Sequence, residues 1–303
     1  MTDSTNPNDR PEHYFADYSK RDYELVDYGF YQLDALPNVG FRGPPVPEEN
    51  LASGDFFTCI GAAQTVGVYV EKPFPDLLAE RIGLPALNLG LGGAAPSFYA
   101  QQPELLALAN RGRFVILQIM TARSAPNSRL EVAGPILLRD RKTGKVDTSE
   151  AGWRAILADE PAEAERYVRE SLASWAADYD AILARLTVPV ILFYYSYKPA
   201  DERTNFAAGS VEELYGSFPQ FVAMPEVEAV AAKCAGYAEC RSKRNLGHLL
   251  RSRFTGEPVV VDYGDIHPTA RGMIHTHNHY YPTAEMHEDA VDPLLAEIRR
   301  LGL

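Results

Sequence analysis

The chain has no apolar run near the roughly 18 residues that a membrane span requires. Its opening residues, MTDSTNPNDRPEHYF, lack both the basic and the apolar stretch of a secretory leader. No signal peptide and no membrane span are therefore expected. Cysteine is scarce, and Cys59, Cys234 and Cys240 form an odd set without metal-site spacing. The three are read as reduced thiols of a cytoplasmic protein. Cations are outnumbered, 29 Lys plus Arg against 41 Asp plus Glu, for a formal charge of −12. An acidic surface of this kind repels nucleic acid and anionic membranes, although a local arginine can still receive an anion in a cleft. Internal repeats and low-complexity tracts are missing too.

What is present is apolar residue in quantity, 46% of 303 residues, enough for a sizeable core. Residues 1–50 read as an N-terminal arm rich in aromatics (Tyr14, Phe15, Tyr18, Tyr23, Tyr28, Phe30, Tyr31), suited to wrapping the core or to pairing two copies of the chain. Gly43-Pro44-Pro45 then breaks the chain. From residue 51 onward five short apolar runs suit buried parallel strands: Phe56–Ile60, Pro85–Leu89, Phe114–Met120, Val188–Tyr195 and Pro258–Asp262. Helical patterns alternate with them at Phe74–Ile82, Phe98–Ala109 and, most clearly, Ala162–Leu186, where Val168, Leu172, Trp175, Tyr179, Ile182, Leu183 and Leu186 form one stripe. Strand-helix alternation predicts a three-layer α/β domain, a doubly wound sheet of five parallel strands. Two insertions interrupt it, 125–160 with a hairpin near Thr143-Gly144, and 197–256, a lid-like stretch before the last strand.

In such sheets ligands bind beyond the carboxyl ends of the strands, where strand order reverses. The residues that follow the strands are therefore the candidates. After the first stands Gly61-Ala62-Ala63-Gln64-Thr65, a turn that suits close packing or an anion cradle. Asn88-Leu89-Gly90 closes the second, and Arg123-Ser124-Ala125-Pro126-Asn127 follows the third. Arginine offers a planar fork for carboxylate or phosphate, and asparagine can donate beside it. Ser124 is the surviving hydroxyl for a serine nucleophile. Tyr194, Tyr195, Tyr197 and Lys198 follow the fourth strand as an aromatic rim with one cation, suited to a sugar or an acidic ligand. Five of the seven histidines, His267, His275, His277, His279 and His287, crowd the last stretch. One of them as a general base is expected, His287 first and His267 second, because imidazole titrates near neutrality. Asp265 and Glu285 are their neighbouring carboxylates. A His275-x-His277-x-His279 metal site, completed by Asp265 or Glu285, stays open as an alternative.

This order of segments resembles the SGNH, or GDSL, hydrolase superfamily over about residues 55 to 301. Its motifs are Gly-Asp-Ser-x-Thr after the first strand, a Gly in an Asn-x-Gly context, Gly-x-Asn-Asp, and a late Asp-x-x-His. The chain is also similar, more closely, to a family of alphaproteobacterial proteins that lack the usual serine nucleophile and share Gly-x-x-Gln-Thr, Arg-Ser-x-x-Asn and Tyr-Tyr-Pro-x-x-Glu-Met-His segments. That second likeness brings no established activity. The SGNH resemblance implies flavodoxin-like topology and an enzyme of hydrolase or group-transfer type, acting on a polar substrate such as a glycan or its acyl ester. Gly61 and Thr65 match the ends of the first motif, but Ala62 and Ala63 stand at its acid and nucleophile positions, so the usual acyl-enzyme route is closed there. Asp265 lies two residues before His267 instead of three, and Ala284 replaces the expected acid before His287. On this reading His287 or His267 is the base, with Ser124, Asp265 and Glu285 as further catalytic candidates. Ala63, Gln64, Thr65, Asn88, Gly90, Arg123, Asn127 and Lys198 bind substrate, Ala63 and Gly90 through backbone N–H. No cofactor and no resident metal are expected. The rival reading is a non-catalytic glycan-binding or polysaccharide-assembly protein on the same scaffold; the metal enzyme is a third.

Overall fold

A computed structural model describes residues 21–34, 36–134, 137–262 and 274–303. The chain opens with β1 (Tyr31–Leu33) and β2 (Leu36–Phe41), an antiparallel pair, then α1 (Glu48–Ser53). The main sheet begins with β3 (Phe57–Gly61), followed by α2 (Ala63–Val66), α3 (Phe74–Ile82), β4 (Ala86–Gly90), α4 (Pro96–Ala100), α5 (Pro103–Ala109) and β5 (Val115–Gln118). An antiparallel meander follows, β6 (Leu130–Val132), β7 (Leu137–Asp140) and β8 (Val146–Thr148). Next come α6 (Ser149–Asp159), α7 (Ala164–Leu183), β9 (Val190–Ser196), α8 (Val211–Tyr215), α9 (Met224–Ala231) and β10 (Gly236–Arg241). Short ladders β11 (His248–Leu249), β12 (Val261–Asp262), β13 (Ile274–His275) and β14 (His277–Asn278) lead into α10 (Ala284–Leu301).

The five-stranded sheet is all parallel, in the order β10-β9-β5-β3-β4. Counted along the chain this is 2-1-3-4-5, the flavodoxin-like order, and its switch point lies between β3 and β5. Alternate residues of each strand face opposite layers. Val115, Leu117, Val190, Leu192 and Tyr194 pack under Tyr99, Leu105, Val168, Trp175, Tyr179 and Ile182. Ile116, Ile191, Phe193 and Tyr195 pack under Phe74, Leu78, Met286, Ala290 and Leu294. Helices thus cover both faces, and the three-layer α/β expectation holds. Among the described residues, no helix is long and apolar enough to cross a membrane.

The fifth strand is a correction. Pro258–Asp262 does not join the main sheet; Val261–Asp262 pairs with β13 instead, and Val260 is exposed. The sheet is completed by Gly236–Arg241, inside the stretch read as a lid. As the edge strand it alternates buried and half-buried residues, so it has no continuous apolar run. The Phe98–Ala109 pattern also splits into two helices, since Pro103 starts α5.

The 130–148 meander is anchored by a buried guanidinium. Arg129 Nε and Nη2 donate to Asp140 at 3.0 and 2.8 Å, and Nη1 reaches Glu160 at 3.0 Å. This bond to Arg129 holds the Asp140 carboxyl below its ordinary range. Asp140→Ala removes the two-pronged partner and leaves Arg129 to Glu160 and Asp159, so it is expected to lower stability by about 2 kcal/mol, the worth of a hydrogen bond to a charged group. A urea unfolding midpoint equivalent to less than about 1 kcal/mol of loss would refute that expectation.

Candidate functional site at the sheet switch point

The turn after β3 is braced by amides. Gln118, at the end of β5, accepts through Oε1 from the Ala62 N–H at 2.9 Å and from the Thr65 hydroxyl at 2.7 Å. Its Nε2 faces Gln64 Oε1 at 3.4 Å. Asn88 Nδ2 donates to Thr65 O at 2.8 Å, and Asn88 Oδ1 accepts the Gly90 N–H at 2.9 Å. The Tyr99 hydroxyl sits 2.7 Å from Gly61 O. All of these side chains are buried, and they fix β3, β4 and β5 to one another at the switch point. This corrects the sequence reading. Thr65, Asn88 and the Gly90 N–H are spent within the scaffold, and none of the three is offered to a ligand. Ala63 packs with Val66, Val68 and Tyr281, and no hydroxyl stands at positions 62 or 63.

Arg123 lies in the loop that follows β5, the strand next to β3 in the sheet. Its N–H donates to Thr121 Oγ1 at 3.1 Å, and its carbonyl accepts from Trp153 Nε1 at 2.8 Å, so the backbone is held from both sides. The guanidinium carbon lies 5.4 Å from the centre of the Tyr215 ring, a cation–π contact. Tyr280, Tyr215, Tyr281 and Glu150 lie within its electrostatic reach. The arginine is only partly exposed, and its Nε is buried with no hydrogen-bond partner. Gln220 completes the corner. Its carbonyl accepts the Ala122 N–H at 3.2 Å, its Nε2 faces the Tyr280 hydroxyl at 3.2 Å, and its Oε1 is buried without a partner. Tyr280 and Tyr281 are placed by Asn278, whose Oδ1 accepts both their backbone N–H groups at 3.2 and 2.9 Å. Three buried polar atoms without a partner, Arg123 Nε, Gln220 Oε1 and the Tyr215 hydroxyl, thus occupy one corner of the molecule. Such groups cost about 1–3 kcal/mol each when nothing meets them, and each calls for an explanation, a bound occupant being one.

Other expected residues lie elsewhere. The His287 ring is fully buried, its Nδ1 accepting the Phe74 N–H at 3.0 Å. It packs against Phe74 and Tyr195 inside the layer under α3 and α10. Burial, helped by the nearby Arg42 charge, pushes its pKa down to about 3. A neutral ring sealed in a core is not placed to take protons from a substrate, so His287 leaves the catalytic set. Asn127 is a loop brace: Oδ1 accepts from the Arg129 and Leu130 N–H groups, both at 2.8 Å, and Nδ2 donates to Ser171. Lys198 is buried, its Nζ 2.9 Å from Val222 O and 3.3 Å from Pro219 O. It props the loop that carries Gln220, and with Tyr197, Arg241 and Lys243 it lines a cavity of about 300 Å³. Ser124 is buried, and among the described residues no hydrogen bond joins its hydroxyl to a base, which a serine nucleophile requires. Glu285 accepts from Asn245 Nδ2 at 2.9 Å, and Arg244 donates to its backbone carbonyl. Asp265 and His267 lie outside the described residues. His275 and His277 belong to different ladders, and the His277 and His279 rings stack at 5.8 Å. Among the described residues, no group of three or more His, Cys, Asp or Glu side chains could hold a metal ion.

The sequence reading missed Gln118, Gln220, Tyr215 and Asn278. Arg123 and the Tyr280-Tyr281-Pro282 segment were the available pointers to this corner.

Residues 17–133 match the model of a family described as "Domain of unknown function (DUF6473)". No functionally curated protein matches the sequence. Among solved structures, the chain is similar to a catalytic mutant of Axe2, an acetylxylan esterase from Geobacillus stearothermophilus, at 11% identity over 83% of this chain and 95% of that one, TM-score 0.41. It is also similar to a carbohydrate esterase family 2 enzyme plus carbohydrate binding domain from Corynascus thermopiles (Myceliophthora fergusii), at 11% identity over 88% and 71% of the two chains, TM-score 0.38. The flavodoxin-like assignment above rests on the chain's own strand order.

Proposed function

We propose that this chain is an enzyme of hydrolase or group-transfer type that acts on a polar substrate such as a glycan or its acyl ester, bound at the Arg123–Gln220–Tyr280 corner. The observation that carries this reading is the pair of buried, unpartnered atoms, Arg123 Nε and Gln220 Oε1, beside the switch point. Arg123 holds and orients an anionic or strongly polarised group. With alanine at positions 62 and 63, the nucleophile is water or a substrate hydroxyl, activated by a base. His287 being sealed, we assign that role to His267, the second histidine expected from the sequence, with Asp265 two residues before it. A base of this kind contributes about 10²–10⁴-fold.

The test is an assay of the purified chain on p-nitrophenyl acetate and acetylated sugars. His267→Gln should lower kcat by about 10²-fold or more, Arg123→Met should lower kcat/KM, and His287→Gln should retain the wild-type rate. Turnover unaffected by His267→Gln would remove the assigned base. The second reading, a non-catalytic glycan-binding protein, is favoured by Ala62 and Ala63. Sugar binding without turnover on any ester would select it.

A further inference from the structure

We infer that the unit recognised at this corner is a sugar acid, a carboxylate flanked by a hydroxyl as in a hexuronate. The inference rests on the site proposed above and names its ligand.

The first argument is valence. Arg123 Nε–H needs an acceptor, and Gln220 Oε1 needs a donor. The other end of the Gln220 amide is engaged by the Tyr280 hydroxyl at 3.2 Å. A lone carboxylate answers the arginine and leaves the amide oxygen unmet. A neutral hydroxyl meets the amide but leaves the guanidinium uncompensated. A carboxylate with a hydroxyl close to it answers both, as the C6 carboxylate and the C4 hydroxyl of a hexuronate do.

The second argument is charge. The Arg123 guanidinium has a buried, unmet Nε–H. Neighbouring cations donate within the protein, Arg21 to Asp22, Arg42 to the carbonyls of Val70 and Glu71, and Lys198 to those of Pro219 and Val222. Glu150 adds negative charge nearby. A single cation in this setting matches a monoanion. A phosphomonoester carries a charge of about −1.5 to −2 at neutral pH and would bring surplus negative charge into a partly buried place.

The third is shape. The Tyr215 ring lies under the guanidinium at 5.4 Å, which leaves the edge of the arginine fork for a planar two-oxygen acid. The phenols of Tyr280 and Tyr281 lie within its electrostatic reach; rings of this kind present an apolar body and a polar tip, as a sugar does.

The test is titration calorimetry of the full chain with methyl β-glucuronide, methyl β-glucoside, glucose 6-phosphate, glucose 6-sulfate and acetate. The glucuronide should bind at least about 10-fold more tightly than each of the others, the loss expected when a charged hydrogen bond goes unmade. Gln220→Met, nearly equal in volume, should weaken the glucuronide about 10-fold and leave acetate unchanged. Arg123→Gln should abolish the preference over the glucoside, while Arg123→Lys should restore part of it. An unchanged urea midpoint separates these effects from misfolding. Tighter binding of the phosphate or sulfate ester, or equal binding of glucuronide and glucoside, would overturn the inference. The two proposals fail separately. Turnover of neutral acetylated sugars without glucuronide preference removes only the sugar acid. Glucuronide binding with no turnover of any ester, uronate esters included, removes only the enzyme.

Discussion

Between pH 7 and pH 4 the wild-type chain should lose about 3 kcal/mol of stability relative to its His287→Gln variant. The imidazole titrates near 6.5 when unfolded and near 3 in its buried position. Below pH 6.5 the unfolded chain therefore binds a proton that the folded chain refuses. The contribution is fully present above pH 6.5 and is lost as pH falls toward 3. Glutamine is chosen because its amide oxygen can still accept the Phe74 N–H. Asp76 works the other way. Burial lifts its carboxyl to about 7, with Arg42 opposing, so its penalty appears as pH rises from the ordinary carboxylate range to about 7. Asp178, lifted by burial to about 6, works in the same direction as Asp76, so the wild-type acid profile sets the histidine slope against those of the two carboxyls. His287→Gln should expose a protein that gains stability on acidification, and Asp76→Asn one that loses it more steeply. Urea midpoints at pH 4, 5, 6 and 7 measure all three, and parallel curves for wild type and His287→Gln would show that the ring is not sealed.

Gly61→Ala should cost about 3 kcal/mol or more, a large share of the stability of a typical domain. A methyl group on Gly61 falls on Thr65 Oγ1 and Gln118 Oε1, and 2.8 Å from Gln118 Cβ. Gln118 must then move, which strands the Ala62 N–H and the Thr65 hydroxyl inside the core. Overpacking contributes about 1–3 kcal/mol, and each orphaned group about as much. Gly61→Ala combined with Gln118→Ala should recover part of the loss, because the clash goes with the amide. Urea unfolding of the four proteins in that cycle tests it. A Gly61→Ala midpoint within about 1 kcal/mol of wild type would mean that the turn yields without disturbing Gln118.

Four of the five sheet strands were legible because buried parallel strands read as unbroken apolar runs. The fifth, GYAECR, was not, since an edge position alternates burial and a search for continuous runs passes over it. Val259 and Val260 attracted the assignment instead, through composition alone. In the site, Arg123 was legible from its type and from its place directly after a strand. Gln118 and Gln220 were not. An uncharged amide has no pattern of its own, and its importance depends on partners 56 and 60 residues away. His287 was misjudged for the same reason. Its place at the start of a helix is written in the sequence, but its enclosure by Phe74 and Tyr195 arises only when distant segments meet.

The corner around Arg123 is stitched from three stretches, at Ala122, Gln220 and Tyr280. The portion matching the family model ends at residue 133. During synthesis a nascent chain of that length already holds the Gly61 turn and the arginine, yet it lacks both the amide and the phenol that face them. The corner is therefore assembled only after Tyr280 has been translated, well beyond the stretch that ends at residue 133.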